Sequence, residues 1–133
     1  MNLDLAFTKI SADYTFADPS LRECFDGHGF CQPHRLACKV EKDGMEVALA
    51  TYDLLPEFFL YLVVVSPRFR RQGLGSKILD HSKNLAREHG ATRLKVRPSS
   101  RSVPPQDVKS FYRANGFGES PDDPDVMEYR LHE

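Results

Sequence analysis

The stretch from Glu57 to Val65, EFFLYLVVV, carries apolar side chains at odd and even positions alike. A strand wetted on one face alternates, so an apolar run of this kind suits a central strand covered on both faces by other elements. SPRFRRQGLG follows at once, with Arg68, Arg70 and Arg71 crowded ahead of Gly73 and Gly75. Leu74, Ile78, Leu79, Leu85 and Ala86 then recur near helical spacing, and the pattern stops at Gly90, a residue suited to a helix C-terminus. A buried strand, a basic turn and an amphipathic helix therefore occupy the middle of the chain, and the rest has to pack around them.

The flanking segments supply a sheet. LDLAFTKI, residues 3–10, alternates as a strand, and DPSLRECF reads as a short helix with Asp18 as its cap and Pro19 at its first position. RLACKVEKDGMEVALATYDL gives two alternating runs broken by Asp43-Gly44, a strong hairpin signal. Beyond the amphipathic helix, ATRLKVR is a strand, QDVKSFYRAN a short helix ending at Gly116, and VMEYRLHE a last strand. This order predicts an α+β (mixed α/β) fold with helices packed on the sheet. With 133 residues, 41% of them hydrophobic, one compact core is expected, so residues 1–133 read as a single domain. The acidic ESPDDPD before the last strand is expected to be a loop.

Charge and composition narrow the partners. Basic and acidic residues number 18 and 19, the formal net charge is −1 and no basic run occurs, which argues against wholesale nucleic-acid binding. No apolar run approaches the ~20 residues needed to cross a bilayer, and the N-terminus lacks the layout of a signal peptide, so a cytoplasmic location without membrane contact is expected. The odd count of 3 cysteines favours free thiols. CFDGHGFCQPHRLAC brings Cys24, His28, Cys31, His34 and Cys38 close in sequence, but without a C-x2-C or H-x3–5-H pair. No metal is expected there, and Cys38 falls in strand register.

The basic turn has a chemical use. A strand-to-helix turn leaves unpaired N–H groups at the positive end of the helix dipole, and glycines let a ligand approach the backbone, an arrangement suited to phosphate. The spacing is not G-x4-G-K-[ST], and Ile78 stands where a dinucleotide-binding loop needs a third glycine. VVVSPRFRRQGLGSKIL instead resembles the GNAT superfamily of acetyl-CoA-dependent N-acetyltransferases, whose signature R/Q-x-x-G-x-G/A follows a strand ending in V-x-P, with Arg70, Gly73 and Gly75 at the defining positions. Downstream, FYRANGF is similar to that family's F-Y-x-x-x-G-F. The first half of the chain is shorter than usual for the family. RPSSRSVPP, with Ser99 or Ser100, stands near where an asparagine is common.

The resemblance implies a central, mostly antiparallel sheet splayed between two parallel strands and flanked by helices. It implies that backbone groups of Val63 and Val65 pair with the pantetheine arm of acetyl-CoA. The turn of Arg71, Gln72, Gly73, Leu74, Gly75 and Ser76 would seat the diphosphate with Arg70, and Ser100 would lie near the adenosine end. An N–H around Val64 or Val65 would face the oxyanion, Tyr112 would protonate the leaving thiolate, and Glu57 is a candidate base, with His28 and His34 bordering the acceptor side. Glu57 reads equally as a solvated strand-end carboxylate, and Tyr112 as a packing residue. The implied activity is acetyl transfer to a primary amine, by a monomer or homodimer. A non-catalytic acyl-CoA-binding sensor or docking module is the alternative. Negative charge on Glu57 and on Asp122, Asp123 and Asp125 would favour a cationic acceptor.

Overall fold

The computed structural model describes residues 5–25, 34–55, 57–69, 73–98 and 105–131. The strands are β1 (Leu5–Ile10), β2 (Arg35–Lys42), β3 (Met45–Asp53), β4 (Phe59–Val65), β5 (Arg93–Val96), β6 (Gly118–Glu119) and β7 (Met127–Arg130), and the helices are α1 (Pro19–Phe25), α2 (Leu74–Glu88) and α3 (Pro105–Ala114). The seven strands form one sheet in the order β1-β2-β3-β4-β5-β7-β6. Only β4 and β5 run parallel; the other neighbours are antiparallel. The expected mixed sheet with flanking helices is therefore present, and β6, which ends on the first residue of the acidic segment read as a loop, is an addition. Among the described residues no helix is long and apolar enough to cross a membrane.

Each face of the sheet carries its own core. Leu36, Cys38, Val40, Tyr52, Phe58 and Leu60 pack with Leu74, Ile78, Leu79 and Ala86 of α2 and with Leu94, Val96 and Met127. Ala37 and Leu49, from the opposite face of β2 and β3, join Phe16, Leu21 and Phe25 around α1, with Leu62 and Val64 against them. This is why EFFLYLVVV does not alternate: β4 feeds both cores. Asp43 and Gly44 both adopt positive φ, 53° and 78°, in the turn between β2 and β3.

The helix ends follow their sequence signals. Gly90, at φ 75°, closes α2: its N–H donates to Arg87 O at 3.0 Å and that of Ala91 to Ala86 O at 3.0 Å, the paired bonds of a Schellman motif. At α1, Asp18 Oδ1 accepts from the N–H groups of Ser20 at 2.9 Å and Leu21 at 3.2 Å, and Oδ2 accepts from the Ser66 hydroxyl at 2.6 Å. One buried carboxylate thus caps α1 and ties it to the end of β4. Burial alone raises its pKa, but the bonds from Ser66, Leu21 and Ser20 outweigh that and hold it below 3.8. A depressed folded-state pKa contributes stability above the unfolded value that is lost as pH falls through the folded one. Asp18→Ala should cost about 1–2 kcal/mol at neutral pH, and urea midpoints of parent and variant should converge below pH about 4. A gap that persists in acid would assign the loss to packing.

Candidate active site

The site begins where two strands part. β4 pairs with β5 only at Phe59↔Lys95 and Leu60↔Val96, whereas β4 continues along β3 to Val65. The register against β3 slips between Thr51↔Leu62 and Tyr52↔Leu60, leaving Tyr61 as an extra residue on β4. Such a bulge changes which backbone groups face which neighbour. Before it, Phe58 O faces β5 and accepts from Lys95 N–H at 3.1 Å; after it, Ser66 N–H faces β3 and donates to Val47 O at 2.8 Å. By alternation Val64 also turns its N–H and C=O to β3, and Val63 and Val65 turn theirs to the edge that β5 has left. Of the two residues named for the oxyanion, Val65 is the one with an N–H on that edge.

The open edge leads to the start of α2. Gly73 takes the N-cap place at φ 74° and supplies no side-chain cap, and the first helical bond runs from Lys77 N–H to Gly73 O at 3.4 Å. The N–H groups of the first turn are those a helix cannot satisfy internally. They border a cleft of about 240 Å³ lined by Val65, Phe69, Gly73, Leu74, Gly75, Ser76 and Phe111. The two glycines have different reasons to be there. A Cβ on Gly73 would meet nothing within 4 Å but would sit in left-handed backbone, whereas one on Gly75 would lie 2.9 Å from Phe111 Cζ. Arg70, Arg71, Gln72 and Ser100 lie outside the described residues.

Tyr112 is set by the way α3 ends. Gly116, at φ 92°, donates its N–H to Arg113 O at 3.0 Å, and Phe117 donates to Tyr112 O at 3.0 Å. This is again a Schellman pair, and its usual apolar contact is made by the Tyr112 and Phe117 rings, whose centroids are 5.4 Å apart. Lys83 Nζ donates to Asn115 O at 2.8 Å and lies 4.0 Å from the Tyr129 ring centroid, placing a cation at the negative end of α3. FYRANGF is therefore a helix stop that also orients a tyrosine. Burial raises the Tyr112 pKa above its ordinary 10.0, so the phenol is protonated at neutral pH.

Glu57 lies just before β4, and its Oε2 is 2.7 Å from Lys95 Nζ; the Glu57 side chain is 55% exposed and that of Lys95 9%. The structure thus joins Glu57 to the residue next to the parting of the strands, a pairing that neither segment signals alone. His34 is exposed at the start of β2, and His28 and Cys31 lie outside the described residues. Cys38 is buried in β2, and desolvation, partly opposed by Lys9, pushes its thiol up to about 11. A thiol held protonated at neutral pH is a poor zinc ligand. Among the described residues no three His, Cys, Asp or Glu side chains converge. Elemental analysis of untagged protein should find no stoichiometric metal; zinc that disappears on Cys24→Ser would overturn this.

Residues 33–119, more than half the chain, match the family model of the acetyltransferase (GNAT) domain. No curated protein matches the chain in sequence. Among solved structures it is similar to the PaiA N-acetyltransferase from Thermoplasma acidophilum in complex with coenzyme A, at 17% identity and TM-score 0.60, covering 73% of this chain and 61% of that one. This chain therefore spans less than two thirds of the Thermoplasma protein. It is also similar to the anti-CRISPR protein AcrVA5, at 28% identity and TM-score 0.57 over 70% of this chain and 97% of that one. The ribosomal-protein-S18-alanine N-acetyltransferase from Escherichia coli matches at 19% identity and TM-score 0.68, over 98% and 96% of the two chains.

Proposed function

We propose that this chain, which belongs to the acetyltransferase (GNAT) domain family, transfers an acetyl group from acetyl-CoA to a primary amine by direct attack. The observation that carries the reading is the continuity of one surface: the β4 edge freed after Leu60 runs through Val63 and Val65 to the uncapped first turn of α2. Acetyl-CoA supplies the activated thioester. Val63 and Val65 pair with its pantetheine arm as a neighbouring strand would, and the first-turn N–H groups from Gly73 to Ser76 hold the diphosphate, to which Arg70, Arg71 and Gln72, next in sequence, add binding groups. Val65 N–H stabilises the developing oxyanion, and the Tyr112 phenol gives its proton to the leaving sulfur.

The amine reaches the thioester carbonyl from the other face of the sheet, through the gap between β4 and β5. It must be neutral to attack, and Glu57, paired with Lys95 on the near side of the parting, takes its proton directly or through water. Calorimetry with acetyl-CoA and a thiol-release assay with amine acceptors test the reading together. Acetyl-CoA binding with acceptor-dependent release of coenzyme A is the expected result. Tight binding without release for any acceptor would make the chain an acyl-CoA sensor.

A further inference from the structure

Phe58 and Leu60 point into the α2-side core, so Phe59 and Tyr61 lie on the opposite face of β4, the face from which, on the reading proposed above, the acceptor amine approaches. Both rings are overlain by guanidinium groups. Arg35 lies 5.0 Å from the Tyr61 ring centroid and Arg97 lies 5.6 Å from that of Phe59. Each arginine is also held by a carboxylate: Arg35 Nε is 2.9 Å from Asp53 Oδ1, and Arg97 Nη1 is 3.6 Å from Asp123 Oδ2. Phe59 and Tyr61 are two positions apart on β4, so the two guanidinium groups overlie neighbouring rings next to the point where β5 leaves β4. A guanidinium carries five N–H donors, and a single carboxylate contact leaves it able to bind a further oxyanion.

Two of the carboxylates that would attract a cationic acceptor, Glu57 and Asp123, already have cationic partners, while Asp122 and Asp125 are exposed in the loop. Glu57 is paired with Lys95, Asp123 with Arg97, and the buried Glu128 with Arg93 at 3.3 Å. Neighbouring cations also favour the neutral form of an incoming amine, which is the form that reacts. We infer that the acceptor is an amine carrying an anionic oxygen group, a carboxylate or a phosphate, which Arg35 and Arg97 grip while the amine enters the gap between β4 and β5. This deepens, and rests on, the reading of the chain as an amine acetyltransferase, and it is the opposite of the cationic acceptor that the acidic residues suggest, so one set of assays decides between them.

The test compares matched amines with and without the anion: β-alanine against β-alaninamide for carboxylate, and phosphoethanolamine against ethanolamine for phosphate, with spermidine as the cationic comparator. The parent should favour the anionic member of at least one pair, with kcat/KM per neutral amine higher by roughly 10- to 100-fold, the size of a lost charged hydrogen bond. Arg35→Gln and Arg97→Gln should erase that preference without changing acetyl-CoA affinity, and Arg35→Lys, which keeps charge but loses the fork, should fall between. Binding of the same amines, followed by NMR shift perturbation, reads the arginine pair without turnover. Should acetyl-CoA fail to bind, the transferase reading falls while the NMR titration still judges the arginine pair. Spermidine outperforming every anionic amine, or a preference that survives both glutamine variants in folded protein, would overturn the inference.

Discussion

Tyr112→Phe is expected to lower turnover by about 10²–10⁴-fold, the range of general acid catalysis, while acetyl-CoA affinity and melting temperature stay close to the parent. The substitution keeps the ring that packs against Phe117 at 5.4 Å and removes only the hydroxyl. Burial raises the pKa of that hydroxyl above 10.0, so it holds its proton throughout the neutral range. The ratio of parent to variant rates should therefore be constant between about pH 7 and about pH 9. Rapid-quench measurement of the chemical step with the best acceptor is the decisive readout. A variant with the parental chemical rate would make Tyr112 a packing residue, with the thiolate leaving unprotonated or taking a proton from water.

A comparably large effect is expected on binding at the start of α2. Gly73→Asp places a carboxylate beside the first-turn N–H groups, where it competes for the diphosphate's donors and repels its charge, and should weaken acetyl-CoA by roughly 100-fold or more. Gly73→Ala is the control. Its Cβ meets nothing within 4 Å, so it should cost about 1–2 kcal/mol of stability from left-handed backbone and leave affinity nearly intact. Gly75→Asp adds a second insult, because its Cβ would come to 2.9 Å from Phe111 Cζ, so that the ring must shift. Calorimetry on folded variants separates strain from charge. Normal affinity in Gly73→Asp and Gly75→Asp would place the diphosphate elsewhere.

Local patterns in the chain determine a good deal of this protein. The Asp18 cap, the Asp43-Gly44 turn, the helix stops at Gly90 and Gly116 and the two-faced run of β4 are legible because each is governed by residues within a few positions of one another, where backbone geometry and hydrogen-bonding capacity are intrinsic. The candidate cofactor turn is legible for the same reason: Gly73 and Gly75 lie between a buried strand and a helix. Three features were decided only by the tertiary structure. The extra residue Tyr61, which turns Val63 and Val65 to the open edge, depends on the register of β3 against β4. The bond from Ser66 to Asp18 joins positions 48 residues apart, and the pair Lys95–Glu57 joins positions 38 apart. The acidic loop shows why charge could not be read locally: Asp123 looks like free negative charge in ESPDDPD, yet Arg97 lies 3.6 Å away in space. Sequence lists the charges, but their energies depend on distance and burial, and those exist only once the strands have paired.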